Sequence, residues 1–131
     1  IVRGFYLADS EATAWAEWYR HGAELGVPPQ SRLPRVMRRF EVDLDEVADL
    51  TAADAVPQMK PTRRQWRITQ PIGENHWKEG RLGLLVPSAA HADSRVLVVF
   101  RPTDDPPLGI APLARPKRYD ELPPLPTGLR T

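Results

Sequence analysis

Three side chains on three separate segments, Tyr6, Glu17 and Ser88, are of types that could act together on a small molecule. A carboxylate such as Glu17 can stabilise developing positive charge or orient an attacking water. At about 100° per residue on a helix, Glu17 shares a face with Thr13, Arg20, His21 and Glu24. That periodicity alone favours a solvated face with ion pairs four residues apart. The flanking Trp15 and Trp18 point the other way, towards an enclosed helix, where a carboxylate is costly and usually purposeful. Tyr6 stands at the end of a strand-like run. Packing with its hydroxyl at the edge of the core is the commoner use there, and stacking on a flat ring is the other. Ser88 follows Pro87 and reads either as a turn serine bonding its own backbone or as a binding hydroxyl. No G-x-S-x-G surrounds it, so it is not a nucleophile on a strand-to-helix elbow.

Other chemistries find less support. His21, His76 and His91 do not pair at metal-ligand spacings, and there is no cysteine, so no metal site is expected and disulfides are excluded. The acidic stretch 43–54 lacks the glycine and terminal glutamate of a calcium loop and reads as a solvated edge. Arg35, Arg38, Arg39 and the segment 63–67 are local basic patches. Intervening acids favour plain solvation over phosphate or nucleic-acid binding. The 18 basic and 17 acidic residues nearly cancel, which removes any global field for nucleic acid or anionic lipid. No apolar run approaches the roughly 18 residues of a membrane span, and no signal-peptide pattern is present. A cytoplasmic location fits this composition.

The elements that would position these residues can be read from pattern. The 131 residues suit a single domain, 1–131, and an α+β fold with mixed sheets and packed helices. Residues 1–8 read as a strand. Asp9 or Ser10 caps a helix over 10–25, which stops at Gly26. Residues 36–44 read as one strand, with Phe40, Val42 and Leu44 alternating against Arg39, Glu41 and Asp43, and 45–53 read as a short helix or turn. A loop over 57–61, a helix over 62–69 and a second helix from Pro71 to about Gly80 follow. Residues 82–86 and 95–100 are strands. Residues 102–131 carry many of the 15 prolines and read as an extension wrapping the surface. Its P-x-x-P match at Pro123 and Pro126 is a weak signal. Because the sequence starts at Ile1 with a strand, residues are expected upstream.

Taken in order, Tyr6-Leu7-Ala8-Asp9-Ser10, Thr13-Ala14-Trp15-Ala16-Glu17, Asp43-Leu44, Asp49-Leu50-Thr51, Gly83-Leu84-Leu85-Val86-Pro87-Ser88-Ala89 and the run 96–101 resemble the RES domain. That family is named for an arginine, a glutamate and a serine. The resemblance implies a fold similar to ADP-ribosyltransferases and cleavage of NAD between nicotinamide and ribose. It also implies a toxin silenced by an Xre-like antitoxin protein. No cofactor is implied beyond NAD as substrate. Glu17 matches the family glutamate, Ser88 the serine, and Tyr6 the tyrosine before the helix. The family arginine belongs on a strand before Ile1, and Arg3 does not take its role. Where many relatives place asparagine before the last strand, this sequence has Ser94 or Arg95. On this reading Glu17 is catalytic, and Tyr6 and Ser88 bind the nicotinamide or ribose. Two other readings stay open: transfer of ADP-ribose to a macromolecular acceptor, and an inactive protein-binding module. Exposed aromatics such as Trp66 and Trp77 could serve a homo-oligomer interface.

Overall fold

The computed structural model describes residues 3–51, 74–101 and 109–129. In chain order the strands are β1 (Arg3–Ala8), β2 (Arg35–Met37), β3 (Phe40–Val42), β4 (Val47–Asp49), β5 (Gly83–Pro87), β6 (Arg95–Arg101), β7 (Ile110–Pro112) and β8 (Lys117–Tyr119). Helix α1 spans Glu11–Glu24, a 3-10 turn spans Pro29–Arg32, and a further helical turn covers 74–78. Four strands form the main sheet in the order β1-β6-β5-β4, with β4 parallel to β5 and the other pairs antiparallel. Two small ribbons, β2–β8 and β3–β7, complete an α+β arrangement. The expected loop over 57–61, the helix over 62–69, the start of the next helix at Pro71, the basic segment 63–67 and Trp66 lie outside the described residues.

Local chemistry explains α1. Ser10 is the N-cap: its backbone is extended (φ −152°) and its hydroxyl accepts from Thr13 N at 3.1 Å. Such a cap stabilises a helix by about 1 kcal/mol. Asp9, the other capping candidate, instead accepts from Arg95 N at 2.9 Å and ties the end of β1 to β6. The helix stops at Leu25, and Gly26 follows at φ +67°, the left-handed conformation that glycine adopts without a Cβ penalty.

Three expectations need correction. The single strand over 36–44 is two strands, because the chain changes partner at Arg38-Arg39: β2 pairs with β8 and β3 with β7. Within 45–53, expected as a helix or turn, 52–53 lie outside the described residues, and the described ones form β4 at Val47–Asp49. Backbone bonds from Leu82 N to Glu46 O and from Leu50 N to Leu85 O, both 2.8 Å, join it to β5, and Ala48 enters the core. Only its exit is a turn, where Asp49 Oδ1 accepts from Thr51 N and Thr51 Oγ1. The proline-rich extension contributes β7 and β8 rather than extended chain alone.

The core lies on one face of the main sheet. Leu84, Val86, Val96 and Phe100 alternate onto it, Ala48 joins from β4, and Trp77 packs edge-on against Phe100 at 6.0 Å. Full burial of each larger side chain stabilises by roughly 1.5–3 kcal/mol. The sheet thereby fixes the end of β5, from which Ser88 projects.

Candidate functional site

Ser88 and Glu17 meet although 71 positions separate them. Ser88 Oγ donates to Glu17 Oε1 at 2.6 Å. The same oxygen accepts from Ala90 N at 3.2 Å and His91 N at 3.0 Å. One hydroxyl therefore closes the turn after β5 and grips a carboxylate on α1. Ser88 is 1 % exposed, so water does not compete for these bonds, while Glu17 is half-buried. The distance is typical of a charge-assisted bond to a carboxylate. The loop 88–94 is closed by Ser88 N donating to Ser94 O at 2.8 Å.

Helix α1 is held against that loop by its buried side. Trp15 and Ala16 are buried, and Trp15 meets Tyr119 of β8 edge-on at 5.0 Å. Arg20 Nη1 donates to the Ala89 carbonyl. One turn before Glu17, the fully buried Thr13 Oγ1 lies 2.9 Å from His91 Nδ1. Thr13, Glu17 and Arg20 thus form one strip of the helix that faces the loop 88–94. The expectation of a solvated, ion-paired face for Glu17 gives way to this contact.

Tyr6 is placed elsewhere. It is 70 % exposed, so core packing does not describe it. Tyr6 pairs with Val98, which pairs with Leu84. Ser88 lies four residues beyond Leu84, roughly 13 Å further along the sheet at about 3.3 Å per residue. Tyr6 instead lines a cavity of about 900 Å³ with Phe5, Trp15, Trp18 and the guanidinium-bearing Arg35, Arg38, Arg39 and Arg95. Glu17 and Ser88 are not in its wall, because Glu17 sits roughly 100° round the helix from Trp18. Beside this cavity Arg32 lies over the Trp18 ring at 4.3 Å and donates to the Trp18 carbonyl at 2.7 Å. Burial, and then the neighbouring Arg35, lower its pKa below the usual arginine value. Among the described residues no cluster of three or more His, Asp or Glu could hold a metal ion.

A model of the RES domain matches residues 2–120. The chain belongs to the RES domain family. Among curated proteins and among solved structures no match is found. The part of this RES domain that the family model covers includes Tyr6, Glu17 and Ser88, and it ends just after β8. No helix among the described residues is long and apolar enough to cross a membrane.

The sequence places Thr13 and Arg20 on the Glu17 face but does not link either of them, or His91, to the loop 88–94. The spacing of His91 from the other histidines argues against a metal ligand and carries no sign of this contact. The available signal was local: a serine at a strand end, two alanines, then a histidine three positions on, where a turn returns the chain towards the same hydroxyl. Thr13 carried a helical signal, one turn ahead of Glu17.

Proposed function

We propose that this RES domain degrades NAD by cleaving the bond between nicotinamide and ribose. One observation carries the reading: the 2.6 Å bond from Ser88 to Glu17, which joins the glutamate and the serine of the family name. In the reaction the ribose C1′–nitrogen bond breaks and its electron pair leaves on nicotinamide. Positive charge develops on the ribose, and the Glu17 carboxylate stabilises it. Water, or phosphate, adds to C1′, and its proton is released to solvent. The Ser88 hydroxyl holds Glu17 Oε1 and leaves Oε2 for the ribose hydroxyls. A guanidinium would hold the pyrophosphate bidentately; Tyr6, which lines the separate cavity, takes no part in the step. The wider reading is a fold of the ADP-ribosyltransferase type acting as a cytoplasmic toxin, with an Xre-like antitoxin protein as partner.

A different observation favours a second reading, an inactive protein-binding module: the cavity of about 900 Å³ does not reach Glu17 or Ser88. One experiment separates the two. Purified protein carrying any natural upstream residues is incubated with NAD, with and without phosphate, and the products are resolved by chromatography. Free nicotinamide is expected, with ADP-ribose or its 1″-phosphate naming the acceptor. A mass increment on a second protein would instead assign ADP-ribosyl transfer. The variant Glu17→Gln is expected to stay folded and lose turnover by at least a hundredfold, on the order of one strong transition-state contact. Equal turnover in the two proteins removes Glu17 from the mechanism.

A further inference from the structure

His91 joins three segments: its own loop 88–94, helix α1 and the C-terminal residues. Its backbone N–H donates to Ser88 Oγ at 3.0 Å. Its ring reaches Thr13 on α1 through Nδ1 at 2.9 Å and Ser94 Oγ, before β6, at 2.7 Å. On the other side Nε2 lies 2.6 Å from the carbonyl oxygen of Thr127. A carbonyl only accepts, so Nε2 carries the proton, and in the neutral ring Nδ1 accepts. Ser10 Oγ donates to Thr13 Oγ1 at 3.0 Å, the single lone pair of Nδ1 faces both the Thr13 and the Ser94 hydroxyls, and His91 Nε2 donates to Thr127.

The residues that hold the ring from outside belong to the C-terminal segment. Ala92 N donates to Gly128 O at 2.8 Å, and His91 forms an antiparallel bridge with Leu129. Tyr19 of α1 also donates to the Pro123 carbonyl at 3.3 Å. All of these lie beyond residue 120, where the match to the RES family ends. This chain therefore braces the Glu17–Ser88 pair with a segment that the family match does not include.

We propose that His91, oriented by residues 127–129, is a positioning residue for the Glu17–Ser88 pair. The ring fixes the distance between the loop 88–94 and the turn of α1 immediately before Glu17. Loss of the ring frees the loop, and Ser88 Oγ no longer meets Glu17 in one geometry. This rests on the proposed NAD cleavage for its catalytic consequence, but its structural consequence is independent of that activity.

The test uses the full chain with His91→Ala and His91→Gln. The glutamine amide can place an N–H near the position of Nε2 and so retain the bond to Thr127. The first readout is amide hydrogen exchange at Ala90 and residue 91, the two donors to Ser88 Oγ. His91→Ala is expected to speed exchange there at least tenfold relative to the amides of β5 and β6, and His91→Gln to recover most of it. The second readout is kinetic. His91→Ala is expected to lower kcat tenfold to a hundredfold with KM little changed, as a small misplacement of a catalytic group does, and His91→Gln to restore it. Unchanged local exchange in folded His91→Ala overturns the proposal, as does local exchange in His91→Gln no slower than in His91→Ala. If His91→Ala does not fold, His91→Asn, whose shorter amide does not reach Thr127, takes its place, and exchange at the two amides no faster than in wild type overturns the proposal. Wild type that releases no nicotinamide refutes the NAD reading alone, and the exchange comparison still decides the role of His91.

Discussion

Replacing Ser88 by alanine tests the geometry of the site without reference to its substrate. The substitution removes one donor to Glu17 Oε1 and one acceptor shared by Ala90 N and His91 N. Hydrogen bonds to charged groups contribute about 1.5–3 kcal/mol, and leaving buried neutral donors unsatisfied costs about 1–3 kcal/mol. Glu17 is half-buried and recovers part of its loss from water. The two amides share a single acceptor at 3.0–3.2 Å, so they do not count twice in full. The expected destabilisation is about 2–4 kcal/mol. Urea unfolding measures it as a lower midpoint at constant slope. A double-mutant cycle with Glu17→Gln isolates the pair. Glutamine keeps an acceptor for the serine but no charge, so the coupling energy should be about 1–2 kcal/mol, within the range for hydrogen-bonded neighbours. A loss below about 0.5 kcal/mol for Ser88→Ala, the scale of an ordinary surface change, would refute the reasoning: the hydroxyl would then hold neither loop nor carboxylate.

Two further outcomes follow from the sheet. Gly83 is buried in β5, and a Cβ there would stand 2.7 Å from the Val98 carbonyl oxygen of β6. Gly83→Ala is expected to lower stability by about 1–3 kcal/mol through overpacking, and equal thermal midpoints would show that the strands can separate freely. Asp49 has its pKa held below the ordinary carboxylate value, first by the Thr51 hydroxyl and then by the Thr51 backbone N–H. A lowered folded value means that its contribution to stability is present above the ordinary carboxylate range and is lost as pH falls through the folded value. Thr51→Val should raise the Asp49 titration seen by NMR towards the ordinary range and shrink that acid-side loss; an unchanged titration would assign the shift to other causes.

The elements with strong local chemistry were legible in the sequence. Helix α1 announced itself through Ser10, Glu11 and Gly26, and β5 and β6 through continuous β-branched and aliphatic runs. β4 was not legible because three residues inside an acidic stretch carry no period, and their strand state comes from the parallel partner β5. The break between β2 and β3 was hidden for a related reason. The alternation from Arg39 to Leu44 suits one strand, and the change of partner is set by β7 and β8 far downstream. Glu17 and Ser88 could be named from family resemblance, yet nothing in the spacing places them within 2.6 Å of each other. That contact depends on where Trp15 and Thr13 seat the helix. Tyr6 shows the limit from the other side: its residue type suited the reading, and its position on the sheet keeps it away from the pair.

The order of strands in the main sheet also sets a timetable for synthesis. β1 is among the first residues described, yet its neighbour is β6, with Tyr6 opposite Val98. No part of β1 can pair until about ninety further residues have been made. At roughly 5–20 residues per second this is a delay of about 5–20 s. For that interval β1 and the tryptophans of α1 leave the ribosome with unfilled hydrogen bonds and uncovered apolar surface, and they are the segments a chaperone would meet. Glu17 gains Ser88 only near the end of the same interval, and His91 gains Thr127 later still. Ribosome-bound chains arrested before β6 emerges would therefore expose β1 and contain no assembled site.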